Sequence, residues 1–181
     1  MKDKQLSKFL SLVLRHQPEI IGLELDGAGW ANLDELLQKL QTKDAKITKF
    51  QIKKIVAEND KQRFKIDASL NRIRANQGHS IAVNLELEAV SPPSILYHGT
   101  AERFLPPILA QGLQKGSRRH VHLTDQIATA KKVGRRHGRP VLLLIDAQQM
   151  QAAGQSFYLS ENGVWLTDNV APEYLQQKTW I

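Results

Sequence analysis

Residues 63–74 have the sequence RFKIDASLNRIR, and this stretch decides how the first half of the chain folds. Apolar and charged side chains alternate over residues 63–66 and again over residues 71–74, which predicts two β-strands. Residues 67–71 between them contain Asp67, Ser69 and Asn71, which are typical of a polar turn. The stretch therefore predicts a β-hairpin.

Three helical segments precede this hairpin. The first has apolar residues at helical spacing and ends soon after His16, because Pro18 disfavours helix before it; its stripe is Leu6, Phe9, Leu10, Val13 and Leu14. The second opens at Asn32, a predicted N-cap with Glu35 reaching back, and places Leu33, Leu36, Leu37 and Leu40 on one face.

The third helix is predicted to start at Thr48. It would bury some combination of Phe50, Ile52, Ile55 and Val56, and it carries Lys53 and Lys54, which either contact the phosphates of a bound nucleic acid or face water. Three helices followed by a β-hairpin is the pattern of a winged helix, a common nucleic-acid-binding module.

The second half of the chain alternates differently, with short apolar runs broken by Gly and Pro. Strands are predicted at residues 95–98, 120–123 and 141–145, with helices around 107–113 and 126–136, and Asn162-Gly163 predicts a two-residue hairpin. The segment Ser91-Pro92-Pro93-Ser94 is the candidate linker. We therefore expect an α+β protein with domains at residues 1–90 and 91–181.

The charge balance points to a polyanionic partner. Twenty-five Lys and Arg residues against eighteen Asp and Glu give a net charge of +7, which favours nucleic acid. The absence of Cys excludes a disulfide framework, a thiol nucleophile and a Cys-based zinc site. The longest apolar run, residues 141–145, falls far short of the roughly 20 residues that a membrane span needs. We expect a cytoplasmic protein that does not bind membranes.

Two segments of the first half contain candidate functional residues. Arg15-His16 pairs a permanent cation with a group that exchanges a proton near neutral pH, but taken alone the pair is more typical of a solvated helix end whose cations lie near the helix dipole. The segment RANQGHS at residues 74–80 is dense in hydrogen-bonding groups beside a Gly that allows close approach, or it is an ordinary polar loop.

Two further segments lie in the second half. YHGT at residues 97–100 places a His, a Gly and a hydroxyl at the end of an apolar strand, where ligand groups can meet them. His120 and His122 share one strand face, but no third ligand of suitable spacing is visible, so we predict no metal site.

The P-loop and the G-x-G-x-x-G motif are absent, so a dinucleotide would need another fold. Trp30, Trp165 and Tyr174 are interpreted as packing residues.

Taken in order, the motifs resemble those of the tRNA (RNA) 2′-phosphotransferase family over nearly the whole chain. They are LRH at 14–16, QRF at 62–64, RANQGHS at 74–80, YHGT at 97–100, SRRHVHLT at 117–124 and NGVWLT at 162–167. The resemblance implies an N-terminal winged-helix lobe and a C-terminal lobe of the ADP-ribosyltransferase type.

The resemblance also implies an activity. Such enzymes transfer an internal RNA 2′-phosphate to NAD through an ADP-ribosylated RNA phosphate, giving 2′-hydroxyl RNA, nicotinamide and ADP-ribose 1″,2″-cyclic phosphate. The implied catalytic residues are Arg15, His16, Arg63 and Arg118. The implied NAD-binding residues are Asn76, Gln77, Gly78, His79, Ser80, His98, Gly99, Thr100, His120 and His122. The expected partners are NAD and RNA that carries an internal 2′-phosphate, and the expected state is a monomer.

Two other functions stay open. One is an NAD-dependent ADP-ribosyltransferase that modifies phosphate ends of nucleic acids and stops after the first step. The other is a winged-helix regulator that binds nucleic acid without catalysis; it would show steep salt dependence and no response to NAD.

Overall fold

The computed structural model describes residues 1–178, so the last three residues of the predicted second domain, 179–181, lie outside it. The chain divides into two units, Met1–Glu86 (unit 1) and Leu87–Ile181 (unit 2). Both mix helices with antiparallel strands, which confirms the predicted α+β class. None of the helices within residues 1–178 is long and apolar enough to span a bilayer.

Unit 1 packs three α-helices against a three-stranded antiparallel sheet. In chain order its elements are α1 (Asp3–Arg15), a 3-10 helix (Pro18–Ile21), β1 (Ala31–Asn32), α2 (Leu33–Gln41), α3 (Lys49–Ala57), β2 (Phe64–Asp67) and β3 (Arg72–Ala75). The strand order is β1-β3-β2, and the β2–β3 hairpin pairs Phe64 with Ala75 and Asp67 with Arg72. The predicted helices and hairpin are confirmed.

The helix ends of unit 1 follow from their capping residues. The side-chain oxygen of Asn32 accepts hydrogen bonds from the backbone N–H groups of Asp34 and Glu35, and that of Thr48 accepts one from Gln51. Each bond satisfies a donor that lacks a partner inside the helix, so both helices start where the caps predict. On α3, Ile52 and Ile55 are buried, whereas Phe50 is 77% exposed.

Unit 2 is described over residues 87–178. Its elements are β4 (Ile95–Ala101), a 3-10 helix (Glu102–Phe104), α4 (Leu105–Gln111), β5 (Leu113–Gln114), β6 (Val121–Leu123), α5 (Ile127–Gly134), a 3-10 helix (Arg135–His137), β7 (Pro140–Asp146), α6 (Ala147–Ala152), β8 (Tyr158–Leu159), β9 (Trp165–Thr167), β10 (Asn169–Val170), a 3-10 helix (Pro172–Tyr174) and β11 (Leu175–Lys178). The sheets have the orders β11-β7-β4, β6-β9-β8 and β10-β5.

The hairpin between β8 and β9 corrects one detail of the sequence prediction. Its loop has three residues, Glu161, Asn162 and Gly163, because the Ser160 N–H donates to the Val164 carbonyl over 2.9 Å. The Gly163 N–H donates to the Ser160 carbonyl, and Gly163 has a φ of +73°, in the left-handed region. Asn-Gly therefore closes a three-residue turn with a left-handed Gly, not a two-residue turn.

Close packing of α5 on β4 shapes the core of unit 2. A Cβ on Gly99 of β4 would lie 1.7 Å from the carbonyl oxygen of Ala130, and one on Gly134 would lie 2.6 Å from that of Thr100. Two glycines thus let the backbones of α5 and β4 approach. Trp165 is 8% exposed within the adjacent apolar core and Tyr174 packs against that core, which confirms both as packing residues.

Candidate active site

Arg15 and His16 lie at the end of α1, as their position before Pro18 predicts. Arg15 is the last helical residue and His16 is the C-cap, whose backbone N–H donates to the Leu12 carbonyl. The Nδ1 atom of His16 and the Oγ atom of Ser80 share a hydrogen bond of 2.9 Å. That bond holds the orientation of the imidazole ring.

Arg63 stands immediately before β2, beside the turn that follows α3. The side-chain oxygen of Asn59 accepts hydrogen bonds from the backbone N–H of Arg63 over 3.3 Å and from its Nη1 atom over 3.5 Å. The side chain is half-buried, and it forms no ion pair with a carboxylate within residues 1–178. Its positive charge is therefore not neutralised by the part of the chain that the structure describes.

Backbone carbonyls join these residues into one network, the unit 1 cluster of Arg15, His16, Arg63, Asn76 and Ser80. The Arg15 Nη2 atom donates to the Arg63 carbonyl over 3.3 Å, and the Asn76 N–H donates to the same carbonyl over 2.9 Å. The Ser80 N–H donates to the Arg15 carbonyl over 3.0 Å. The loop after β3 thus ties the end of α1 to the start of β2.

In the side-chain amide of Asn76, the nitrogen has a hydrogen-bond partner among the described residues and the oxygen does not. Its Nδ2 atom donates to the Gln62 carbonyl over 2.6 Å, where Gln62 adopts a φ of +42°. Its Oδ1 atom is buried and accepts no hydrogen bond from residues 1–178. An acceptor left unsatisfied in the interior carries a free-energy cost that a donor from a ligand removes.

Arg15 and Arg63 both line an open groove of about 580 Å³ in unit 1. One wall is the face of α1 that carries Lys4, Lys8 and Ser11, and the other wall comes from the end of α3 and the turn after it. The two guanidinium groups therefore lie beside a space that is open to a ligand.

In unit 2, His98, His122 and Arg118 form a second group, the unit 2 cluster. His98 lies on β4, and its Nδ1 atom is 3.0 Å from the His122 carbonyl oxygen on β6. Because a carbonyl only accepts, Nδ1 carries the proton and neutral His98 keeps its lone pair on Nε2. The Arg118 Nη1 atom donates to the Nδ1 atom of His122 over a long 3.4 Å.

Burial favours the neutral form of two histidines of unit 2, His98 and His120. Burial lowers the pKa of His98, and the nearby positive charge of Arg118 adds to this, against the opposing hydrogen bond to the His122 carbonyl. Burial also lowers the pKa of His120, an effect that the Asp168 carboxylate opposes. The His120 ring packs against Tyr158, with ring centroids 5.7 Å apart. At neutral pH both imidazoles are hydrogen-bonding groups without charge.

Comparison with known proteins decides the family. A family model described as "RNA 2'-phosphotransferase, Tpt1 / KptA family" matches residues 1–169. The chain belongs to the RNA 2′-phosphotransferase family. A protein of Hahella chejuensis is 56% identical, covering 96% of this chain and 94% of its own length, and one of Rhodopirellula baltica is 56% identical, covering 96% of both. Each is named a probable RNA 2′-phosphotransferase.

The structure divides the residues that the family resemblance singles out between the two units. Arg15, His16 and Arg63 come together in unit 1, and Arg118 belongs to unit 2 with His98 and His122. The segment 76–80 belongs to unit 1, where Asn76 and Ser80 contact the predicted catalytic residues. No three His, Asp or Glu side chains within the described residues lie close enough to hold a metal ion.

Some of the residues that the family resemblance implies for NAD binding have a visible role in packing or in loop conformation. Gly99 faces the carbonyl of Ala130, and Thr100 is buried beside Gly134. His79 is 2% exposed and lies next to Gly29, whose own conformation has a φ of +81°. Gly78 has a φ of +85°, which a residue with a side chain rarely adopts. Gln77 is half-buried. These positions shape the loops that carry the polar groups.

Sequence reasoning missed Asn59, which orients Arg63. Its Oδ1 atom also accepts from the Lys61 N–H, so it closes an Asx turn directly after α3. The sequence Asn59-Asp60 at a helix end is a signal for such a turn. The sequence did not indicate that the side chain of Asn59 would bind Arg63, four residues later.

Proposed function

We propose that this protein removes an internal 2′-phosphate from RNA by transferring it to NAD. The products are RNA with a 2′-hydroxyl, nicotinamide and ADP-ribose 1″,2″-cyclic phosphate. Membership of the RNA 2′-phosphotransferase family and the names of the relatives support a phosphotransferase that acts on RNA. NAD as the acceptor follows from the motifs described above.

The observation that carries the proposal is the unit 1 cluster. Arg15 and Arg63 are linked through one carbonyl, beside an open groove, with His16 next to Arg15 in the chain. A phosphate monoester carries nearly two negative charges, and a planar guanidinium binds two of its oxygens at once. Two such groups held by the backbone suit a phosphate better than a neutral ligand.

The first step forms a bond between a 2′-phosphate oxygen and C1″ of the nicotinamide ribose. The bond from C1″ to nicotinamide breaks, and nicotinamide leaves with the electron pair, which neutralises its ring. A phosphate dianion needs no general base for this attack. Arg15 and Arg63 hold the phosphate against the repulsion of the NAD pyrophosphate.

The second step forms a bond between O2″ and the same phosphorus and breaks the bond to the RNA 2′ oxygen. One proton leaves O2″ and one is delivered to the departing oxygen. His16 is the proposed carrier, because an imidazole exchanges protons near neutral pH and Ser80 holds the ring through its Nδ1 atom. This hydrogen bond supports a positioning role for Ser80, through His16.

Unit 2 is the proposed NAD-binding part. Neutral His98 presents Nε2 as an acceptor for a ribose hydroxyl, and the exposed Arg118 offers a cation to a phosphate. His120 and His122 belong to the same proposed site. Thr100 and Gly99 lie on the same strand as His98.

The proposed architecture follows the same division. We assign residues 1–90 to a winged-helix lobe, supported by three helices and the β2–β3 hairpin, and residues 91–181 to an ADP-ribosyltransferase-like lobe. The buried acceptor of Asn76 supports contact with a donor of one of the substrates.

The test follows the phosphate itself. The purified full chain is incubated with NAD and a short RNA whose single internal 2′-phosphate is radiolabelled, and all products are resolved. The proposal expects the label in ADP-ribose cyclic phosphate. Label that stays on ADP-ribosylated RNA would indicate a transferase that stops after the first step. No consumption of NAD would contradict the proposal, and the same RNA with a 2′-hydroxyl is the control.

A further inference from the structure

The outer face of α3 displays an aromatic ring to solvent. Phe50 is 77% exposed, although Ile52 and Ile55 on the same helix are buried. Single exposed apolar residues are common in soluble proteins. Phe50 is informative because of the charges that surround it.

The lysines around Phe50 fall into two kinds. Lys49 pairs with Asp34 over 2.6 Å and Lys54 pairs with Asp3 over 3.1 Å, so both help to anchor α3 within unit 1. Lys46 and Lys53 are exposed, and neither forms an ion pair within residues 1–178. Lys53 acts on the Asp34 carboxylate and Lys46 on the Asp44 carboxylate, lowering the pKa of each, but only at longer range, so both exposed ammonium groups can also meet an anionic partner.

Helical geometry places Phe50 and Lys53 on one face of α3. Phe50, Lys53 and Ala57 are separated by three and four residues, which is the spacing of neighbours on a helix surface. The buried Ile52 and Ile55 lie on the other side. Lys46 lies just before the N-cap Thr48. An exposed ring between cations is the combination that binds single-stranded nucleic acid, by base stacking and phosphate contacts.

We propose that this face, the α3 face of Lys46, Phe50 and Lys53, binds the RNA strand away from its reacting phosphate, with Phe50 stacked on a base. The proposal rests on the proposed function for the identity of the substrate as RNA. It adds a second contact, which is selective for RNA length and not for the 2′-phosphate.

The distance between the two contacts sets the test. From Phe50 to Ala57, the last residue of α3, the helix rises about 10 Å at 1.5 Å per residue, and Asn59, which holds Arg63, lies beyond that end. A dinucleotide whose phosphate lies at Arg63 is too short to occupy both places. An RNA with several more nucleotides on each side of the phosphate reaches the α3 face in either direction.

The experiment compares these two substrates, each with one internal 2′-phosphate. Phe50→Ala should lower kcat/KM about tenfold or more on the long RNA, which is the range for loss of one stacked base. The ratio of long to short substrate should fall by the same factor, and Phe50→Trp should restore it. Lys53→Glu should weaken binding of the long RNA and flatten its salt dependence.

Matched controls separate local contact from general effects. Leu109→Ala removes another exposed apolar side chain, 45% exposed on α4, and Lys132→Glu makes the same charge change on α5. Equal losses in Phe50→Ala and Leu109→Ala, or in Lys53→Glu and Lys132→Glu, would overturn the proposal. Thermal unfolding of each variant confirms that the fold is intact.

A second measurement keeps this proposal distinct from the proposed function. Equilibrium binding of a fluorescent RNA without a 2′-phosphate needs neither NAD nor turnover. Weaker binding of this RNA by Phe50→Ala supports the α3 face even if the protein consumes no NAD. Binding equal to that of the unsubstituted protein contradicts the α3 face even if the phosphate transfer is fully active.

Discussion

The unit 1 and unit 2 clusters are built in opposite ways. In unit 1, Arg15, His16 and Arg63 stand at the ends of elements and are tied together by backbone carbonyls. In unit 2, His98 and His122 lie within strands, and burial holds His98 neutral. Guanidinium groups suit the binding of a charged phosphate, whereas a neutral imidazole such as that of His98 suits oriented hydrogen bonds to hydroxyls. The guanidinium groups suited to a phosphate and the oriented imidazole suited to a hydroxyl therefore come from separate parts of the chain.

The largest expected effect comes from removing a guanidinium of the unit 1 cluster. Arg63→Ala should lower the rate of phosphate transfer by about 10²- to 10³-fold, the range for loss of one group that stabilises charge in a transition state. Arg63→Lys keeps the charge but loses the two-pronged geometry, so it should recover only part of the rate. Single-turnover kinetics measure both, and a rate for Arg63→Ala equal to the original would remove Arg63 from the site.

The next effect concerns the stability of unit 2. Gly99→Ala places a Cβ 1.7 Å from the Ala130 carbonyl, so α5 must move away from β4. We expect the free energy of unfolding to fall by about 1–3 kcal/mol, the usual cost of overpacking. Gly27→Ala is the control, because no atom lies within 4 Å of its added Cβ. Denaturant unfolding that gives equal stability for both variants would contradict the close packing.

His98 tests whether the two clusters have separate substrates. His98→Gln should raise the KM for NAD about two- to tenfold, since one buried hydrogen bond contributes roughly 0.5–1.5 kcal/mol, and leave the KM for RNA unchanged. Arg63→Lys should show the reverse pattern. Steady-state kinetics with each substrate varied in turn decide this, and an increase confined to the KM for RNA in His98→Gln would reverse the assignment.

Ser80 has a smaller expected effect, because it acts through His16. Ser80→Ala should lower kcat about two- to tenfold, as expected for one hydrogen bond, and Ser80→Thr should restore it. The pH profile of kcat should also shift in Ser80→Ala, because the bond at Nδ1 influences the proton affinity of the ring. A profile that does not move would reduce Ser80 to a structural residue.

The smallest effect is the pH dependence of stability from His98. Its pKa is lower in the folded chain than in the unfolded chain, so the unfolded chain binds more protons as pH falls below the ordinary value of 6.5. The contribution of neutral His98 to the free energy of unfolding is therefore fully present above pH 6.5, and it is lost as the pH falls toward the pKa of His98 in the folded chain. Unfolding of the protein and His98→Gln at pH 7.5 and 5.5 should show a smaller decrease in the variant. An equal decrease would mean that His98 titrates normally.

Elements that side chains specify, through hydrophobic periodicity or capping, were predictable from the sequence. Contacts that the backbone makes were not. The stripe of α1, the caps Asn32 and Thr48 and the β2–β3 hairpin all have side chains that specify them. The exposure of Phe50 was not predictable, because periodicity gives the same signal for an apolar residue on either edge of the buried stripe.

The candidate site was predictable as a set of residues but not as an arrangement. Arg15 and Arg63 are joined through a carbonyl, and every residue has a carbonyl, so no sequence signal marks the one that is used. The role of Gly99 was also hidden, because a glycine at a strand end fits a ligand contact as well as the observed helix contact. The signal of Asn59 was present in the turn that follows α3.

The proposed reaction consumes one NAD for each 2′-phosphate that is removed from RNA. Measuring this stoichiometry is the most direct test of the proposed function. In one reaction with excess 2′-phosphorylated RNA, the amounts of nicotinamide released and of RNA 2′-hydroxyl formed are counted together. Transfer of the phosphate to NAD releases one nicotinamide for each 2′-hydroxyl at completion, and we expect neither product in the absence of NAD. Formation of 2′-hydroxyl RNA without nicotinamide, or of nicotinamide without 2′-hydroxyl RNA, would contradict it.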